Sequence, residues 1–272
     1  MTLADLGPVL LVGAGKMGSA MLEGWLDRGL DPTATIVVDP APPAETKQLI
    51  AERGLVHNPK ELGPPASVIV VAVKPQLIRD VLPGIARQVA PGTVVVSIAA
   101  GTRLDTLAGL LPAGSAIIRA MPNTPAAIGR GITVCVGNEF VEEAQRTMAT
   151  AMLNASGTVE WIEDEGLIDA VTAVSGSGPA YVFWLAECLA EAGRAAGLPA
   201  DLAERLARAT VSGAGEMIHV RDDKPGQLRE NVTSPGGTTA AALSVLMAED
   251  GLQPLMVKAV AAAKKRAAEL AD

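Results

Sequence analysis

The chain has 272 residues, a formal net charge of −8, 49% hydrophobic and 19% charged residues, which gives room for two domains and is too apolar for general disorder. The acidic balance argues against a nucleic-acid groove, which needs a basic stripe to hold phosphates. Two cysteines, Cys135 and Cys188, rule out a disulfide scaffold and suit a reducing, cytoplasmic compartment, and two histidines, His57 and His219, cannot build a His-rich zinc site, so no metal is expected.

The segment Met1–Gly15 has no basic stretch followed by a long apolar run, and nowhere do about 18 uninterrupted apolar residues occur. Neither a signal peptide nor a membrane span is expected. Short β-branched runs then alternate with amphipathic stretches: Val9–Val12, Thr35–Val38, Val68–Val73, Val94–Ile98, Ala116–Ile118, Thr133–Val136 and Thr158–Ile162. Near-continuous apolar strands predict a parallel sheet covered on both faces. Met17, Met21, Trp25 and Leu26 repeat at helical spacing with Gly29 as the stop, and further helices are predicted over Gln76–Ala90 and Glu139–Leu153. After Glu163 the texture changes to long Ala/Leu/Glu/Arg segments that favour helix: Tyr181–Ala196, Pro199 to His219, Ala240–Ala248 and Gln253 towards Asp272. Glu163-Asp164-Glu165-Gly166 is the expected junction.

Gly13-Ala14-Gly15-Lys16-Met17-Gly18 follows a predicted strand and opens a predicted helix, the context in which such a glycine loop binds a dinucleotide. Gly13 permits the tight turn, Gly15 lets the backbone approach a pyrophosphate, Gly18 lets helix and strand pack closely, and the helix start offers N–H groups to phosphate. Asp39 closes the second strand about 20 residues later, at the expected ribose position. Ala72-Val73-Lys74-Pro75 ends the strand Val68–Val73, where ligands of open α/β sheets sit; Lys74 would reach a cofactor hydroxyl or phosphate there, or stand in solvent ahead of a helix-starting proline. Small residues at Ser97–Gly101 leave room for a nicotinamide ring, and Asn123-Thr124-Pro125 follows the strand Ala116–Ile118 in the same way.

Ser175-Gly176-Ser177-Gly178-Pro179-Ala180-Tyr181 is explained residue by residue as a helix start. Asn231-Val232-Thr233-Ser234-Pro235-Gly236-Gly237-Thr238-Thr239-Ala240 holds more small polar residues than a capped turn requires, and reads as an anion cradle suited to a carboxylate. His57 reads as a loop residue near the cofactor or on the surface, His219 as a helix-end residue facing the dipole, and the cysteines as small core residues. The absence of acid–base equipment typical of an alcohol dehydrogenase fits a substrate needing little proton transfer, such as an iminium.

Together the glycine loop, Ala72–Pro75, Asn123–Pro125, Asp169–Tyr181 and Asn231–Thr239 resemble, in this order and over nearly the whole chain, the pyrroline-5-carboxylate reductase family. The resemblance implies an α/β chain: an N-terminal Rossmann dinucleotide-binding domain, residues 1–163, followed by an all-helical dimerisation and substrate domain, residues 164–272. It implies NADPH- or NADH-dependent reduction of 1-pyrroline-5-carboxylate to L-proline by a homo-oligomer, dimer or higher. Carried over by motif, Gly13 to Gly18, Asn58, Ala72 to Pro75, Ala100 and Asn231 would contact cofactor. Glu165, Asp222, Thr238 and Thr239 would lie at the substrate, with Ser234 and the Gly236-Gly237-Thr238 backbone on its carboxylate and the Thr239 hydroxyl, the catalytic group, at the ring nitrogen. Asp222 stands where relatives are expected to carry Glu. Asp39 is a second departure: NADPH wants Arg, Lys or small hydroxyl residues there, whereas this carboxylate favours the free ribose of NADH unless it turns outward to cap the proline-rich turn. A β-hydroxyacid dehydrogenase would need a lysine on a second-domain helix, which Asp169–Tyr181 lacks, and a cofactor sensor would not need the Ser234–Thr239 cradle.

Overall fold

The computed structural model describes residues 2–271. Eight strands form one sheet in the order β3-β2-β1-β4-β5-β6-β7-β8: β1 (Val9–Val12), β2 (Thr35–Val38), β3 (Val56–His57), β4 (Val68–Val71), β5 (Val94–Ser97), β6 (Ala116–Met121), β7 (Gly131–Gly137) and β8 (Gly157–Trp161). All neighbours pair in parallel except β6 and β7. The expectation of a purely parallel sheet is therefore corrected. The link Pro122–Arg130 carries only the 3₁₀ turn Thr124–Ile128, and a parallel crossover needs about a dozen residues or more.

The apolar strands are buried on both faces because successive side chains serve different cores. Val9, Leu11, Val68, Val70, Val94 and Val96 join one cluster, and Leu10, Val12, Ile69, Val71 and Val95 the other. Helices α1 (Lys16–Asp27), α2 (Ala44–Arg53) and α5 (Glu143–Leu153) supply Met21, Leu22, Trp25, Ile50, Met152 and Leu153 to the first. Helices α3 (Ile78–Ile85) and α4 (Leu104–Ala108) supply Ile78, Leu82, Ile85, Leu104 and Leu107 to the second. Each fully buried Leu or Ile contributes about 1.5–3 kcal/mol. Trp25 is fully buried and its indole N–H donates to the Met152 carbonyl at 2.8 Å, which fixes α1 against the end of α5.

The helix predicted over Gln76–Ala90 is shorter. A 3₁₀ turn opened by Pro75 precedes α3, and a second, Ala86–Gln88, follows it. Pro83 lies inside α3, where its missing N–H removes an i→i−4 bond. The helices α2 and α4 were not anticipated.

Beyond Glu163 the described residues contain helices and no strand: α6 (Ile168–Val171), a π-helical turn Thr172–Gly176, α7 (Gly178–Ala195), α8 (Ala200–Val220), α9 (Pro225–Asn231), α10 (Thr238–Leu246) and α11 (Leu252–Leu270). The predicted end of the last helix at Asp272 lies outside the described residues. Contacts divide the chain into a unit up to Gly176 that includes residues from Lys264 onwards, and a helical unit Ser177–Ala263. Within the helical unit α7 and α8 pack through small residues, with Gly193 facing Ala203 and Leu198.

Candidate functional site

The strand order reverses between β1 and β4, and a crevice opens there past the carboxyl ends of the strands. It is a cavity of about 600 Å³ lined by Gly15, Lys16 and Met17 of the glycine loop, Ala72 to Pro75 after β4, Ile98 to Ala100 after β5, Met121 to Thr124 after β6, and Gly176. The structure thus brings Gly15, Lys16, Met17, Ala72, Val73, Lys74, Pro75 and Ala100, scattered along the sequence, to one cleft, together with Asn123 and Thr124.

Each glycine of the loop has its own physical reason. Gly13 sits at φ 92° and a Cβ there would come 2.7 Å from the Ala72 backbone. A Cβ on Gly18 would run into the Gly13 carbonyl oxygen. At Gly15 a Cβ would meet no protein atom within 4 Å, so the space it spares belongs to whatever enters the cleft. Gly15 is the N-cap of α1 and no side chain caps that helix, which leaves its first-turn N–H groups for an anion. A pyrophosphate fits this arrangement.

Asp39 follows β2 beside the loop. Its Oδ2 accepts from the Ala14 N–H at 2.7 Å and its Oδ1 from the Ala41 N–H at 2.8 Å. The carboxylate therefore does cap the proline-rich turn, but it does not turn outward: it also braces the glycine loop. Asn58 Oδ1 accepts from the Asp39 N–H at 3.0 Å, and Asn58 Nδ2 donates to the Asp39 carbonyl at 2.7 Å. His57 Nε2 lies 3.0 Å from the same carbonyl.

Glu165, expected at the substrate, is engaged by the protein. Its Oε1 accepts from Arg119 Nη1 at 2.7 Å and from the Leu104 N–H at 2.9 Å, so it balances a buried guanidinium and closes the start of α4. Asp222 is exposed in the link between α8 and α9, beside the Arg221–Asp223 ion pair. Asn231 ends α9, its side-chain oxygen accepting from Gln227.

The cradle lies in the helical unit. Gly237 N–H donates to the Ser234 carbonyl at 3.0 Å, with Pro235 second and Gly236, at φ 70°, third in the turn, the pattern of type II. Helix α10 begins at Thr238 rather than Ala240, because Gly237 is its extended N-cap. Thr238 and Thr239 therefore stand in its first turn, and no side chain caps it.

By sequence Ser175 belongs to a helix start. Its Oγ is buried with no hydrogen-bond partner, in a π-helical turn whose last residue, Gly176, lines the cleft. A buried orphan hydroxyl costs about 1–3 kcal/mol, and π-turns gather at functional sites. No periodicity announces a π-turn, so the sequence carried no such signal. Of the cysteines, Cys135 is buried, and burial pushes its thiol up to about 12. Cys188 is exposed, which corrects the expectation that both are core residues. No group of His, Cys, Asp and Glu among the described residues would hold a metal ion.

Residues 165–270 match the family model described as pyrroline-5-carboxylate reductase dimerisation, and residues 8–101 the one described as NADP oxidoreductase coenzyme F420-dependent. The pyrroline-5-carboxylate reductase of Pseudomonas aeruginosa is 38% identical over 267 residues, 97% of each chain. This chain belongs to the pyrroline-5-carboxylate reductase family. The family member from Pisum sativum is 37% identical, covering 98% of this chain and 97% of its own. Among solved structures, the pyrroline-5-carboxylate reductase of Coxiella burnetii matches with a TM-score of 0.90 at 34% identity, over 98% of this chain and 100% of that one. The pyrroline carboxylate reductase of Plasmodium falciparum, solved with NADP bound, matches at 0.81 with 28% identity over 99% of each chain.

Proposed function

We propose that the chain reduces 1-pyrroline-5-carboxylate to L-proline with NADPH or NADH, as a cytoplasmic homodimer. The full-length likeness to pyrroline-5-carboxylate reductases carries this reading. When bound, the reduced nicotinamide supplies a hydride to the ring carbon of the C=N bond. Gly15, Lys16 and Met17 hold the pyrophosphate at the start of α1, Lys74 adds a positive charge, and Ala99 and Ala100 leave the ring its space.

Ser234 and the N–H groups of Gly236 and Thr238 bind the substrate carboxylate, while the Gly237 N–H stays on the Ser234 carbonyl and holds the turn in shape, and the uncapped start of α10 strengthens that hold. The Thr239 hydroxyl accepts from the protonated ring nitrogen and orients the imine. An iminium that arrives protonated needs no proton from the chain. Ser175, with its unspent hydroxyl beside Gly176, is a further candidate for the substrate side.

The helical unit supports the dimer. Among its described residues only Ala190, Ala203 and Ala207 are buried, while Phe183 and Trp184 stay 63% and 64% exposed. Apolar helices of this kind are covered by a partner. No helix among the described residues is long and apolar enough to cross a membrane.

The test is to mix purified chain, reduced nicotinamide cofactor and 1-pyrroline-5-carboxylate, following loss of cofactor absorbance and formation of proline. Cofactor oxidation matched by proline supports the reading, and absence of proline at high enzyme concentration rejects it.

A further inference from the structure

We infer that Asp39 selects the cofactor, taking the dinucleotide with a free ribose diol over its 2′-phosphorylated form, and that Asn58 is the positioning residue that holds Asp39 to this task. The inference rests on the reductase reading only for the presence of a nicotinamide dinucleotide. Asp39 lies at the carboxyl end of β2, beside the glycine loop, where the adenosine ribose of such a ligand lies in this fold. Its two bonds to Ala14 and Ala41 leave lone pairs on both oxygens, enough to accept from two ribose hydroxyls. They also remove its freedom to swing away: the Ala14 bond ties the charge to the loop that would bind the pyrophosphate.

The backbone of Asp39 is fixed as well. The Asn58 amide meets both its N–H and its carbonyl, a two-point clamp, and the His57 ring adds a third contact. Asn58 is the one non-glycine residue with positive φ among those described, at 45°, a conformation that asparagine tolerates better than most side chains. Since both ends of its amide meet the Asp39 backbone, Asn58 acts on the cofactor through the placement of Asp39.

A 2′-phosphate would bring a dianionic group against this anchored, singly charged carboxylate. Residues 40–46, Pro-Ala-Pro-Pro-Ala-Glu-Thr, hold no basic side chain, and Glu45 adds a negative charge in the first turn of α2. The basic residues next in sequence are Lys47, Arg53 and Lys60: the two lysines are exposed, and Arg53 pairs with Asp27 at 2.7 Å. Like charges in a partly screened corner separate the two cofactors by about tenfold in Kd or more.

The experiment titrates NADH and NADPH, separately and without imine, into the purified full chain and into Asp39→Asn, Asp39→Ser, Asn58→Ala and Asn58→Gly. Quenching of tryptophan fluorescence gives Kd, and melting temperature reports the fold. Wild type should bind NADH at least about tenfold more tightly than NADPH. The near-isosteric Asp39→Asn, which tests the charge even if Asp39→Ser folds poorly, should bring the ratio to about one. Asn58→Gly, which relaxes the positive φ, and Asn58→Ala should weaken NADH more than NADPH. A wild-type preference for NADPH, as Lys47 or Lys60 reaching the phosphate would produce, overturns the inference, and so does a ratio that Asp39→Asn leaves unmoved. Equal weakening of both cofactors by the Asn58 variants overturns the positioning role. Discrimination by a chain that leaves 1-pyrroline-5-carboxylate unreduced upholds this inference and rejects the substrate reading instead.

Discussion

Arg119 is 5% exposed on β6, and Glu165, 46 residues away, meets it at 2.7 Å. Removing one member of a buried pair leaves an uncompensated charge, which costs about 3–5 kcal/mol. Glu165→Ala should fall at the low end, about 3 kcal/mol, because the Glu165 side chain keeps 26% of its exposure. Glu165→Gln should cost less, as its oxygen still receives Arg119 and the Leu104 N–H. Urea unfolding midpoints of both variants check this, and equal midpoints for wild type and Glu165→Ala would refute it. The thiols offer a second expectation. With its pKa pushed from 9.0 up to about 12, Cys135 holds about a thousandfold less thiolate than an ordinary cysteine. Maleimide at neutral pH should spare Cys135 in the folded protein and label it on unfolding, as read by mass spectrometry of peptides. Thr239→Val should lower kcat/KM by about tenfold to a hundredfold, the loss of one positioned hydrogen bond, with cofactor Kd nearly unchanged. An unchanged kcat/KM would take Thr239 out of the mechanism.

At the scale of the element, the loop between β1 and α1 joins a steric demand to a functional one, and two alanine substitutions separate them. Gly18→Ala drives a Cβ into the Gly13 carbonyl, so it should lower stability by about 2–4 kcal/mol and weaken cofactor binding. Gly15→Ala meets no protein atom, so the melting temperature should stay within a few degrees of wild type while cofactor Kd rises at least about tenfold. Parallel thermal melts and cofactor titrations test the pair, and a large stability loss in Gly15→Ala would show that its open side is not reserved for ligand. The loop itself was legible in sequence because a motif bounded by a β-branched run and a helical period is local information. The antiparallel turn of β7 was not, since its apolar residues would suit either direction and only the length of Pro122–Arg130 decides between them.

For the whole molecule, the assembly proposal rests on what the helical unit leaves exposed. Within the helical unit the buried described residues are Ala190, Ala203 and Ala207, a small core for 87 residues. Sedimentation at micromolar concentration should find a dimer or a multiple of it. Phe183→Asp, which places a charge on a side chain now 63% exposed, should shift the distribution towards monomer and lower the melting temperature. A fully active wild-type monomer would defeat the assembly proposal.

The sequence by itself determined the alternation of strands and helices, the glycine loop with its context, the helical second half and the family, because each is written in spacing or in contiguous motifs. Tertiary structure alone decided which groups remain available. The sequence alone does not show that the fold engages Glu165 Oε1 with Arg119 and Leu104, and the Asn58 amide with the backbone of Asp39. Ser175 looked like a capping residue and is instead a buried hydroxyl without a partner. The reason is physical: a polar side chain takes its partner from whatever the fold brings within about 3 Å, and those partners, 19 residues away for Asn58 and 46 for Glu165, leave no mark in the local pattern.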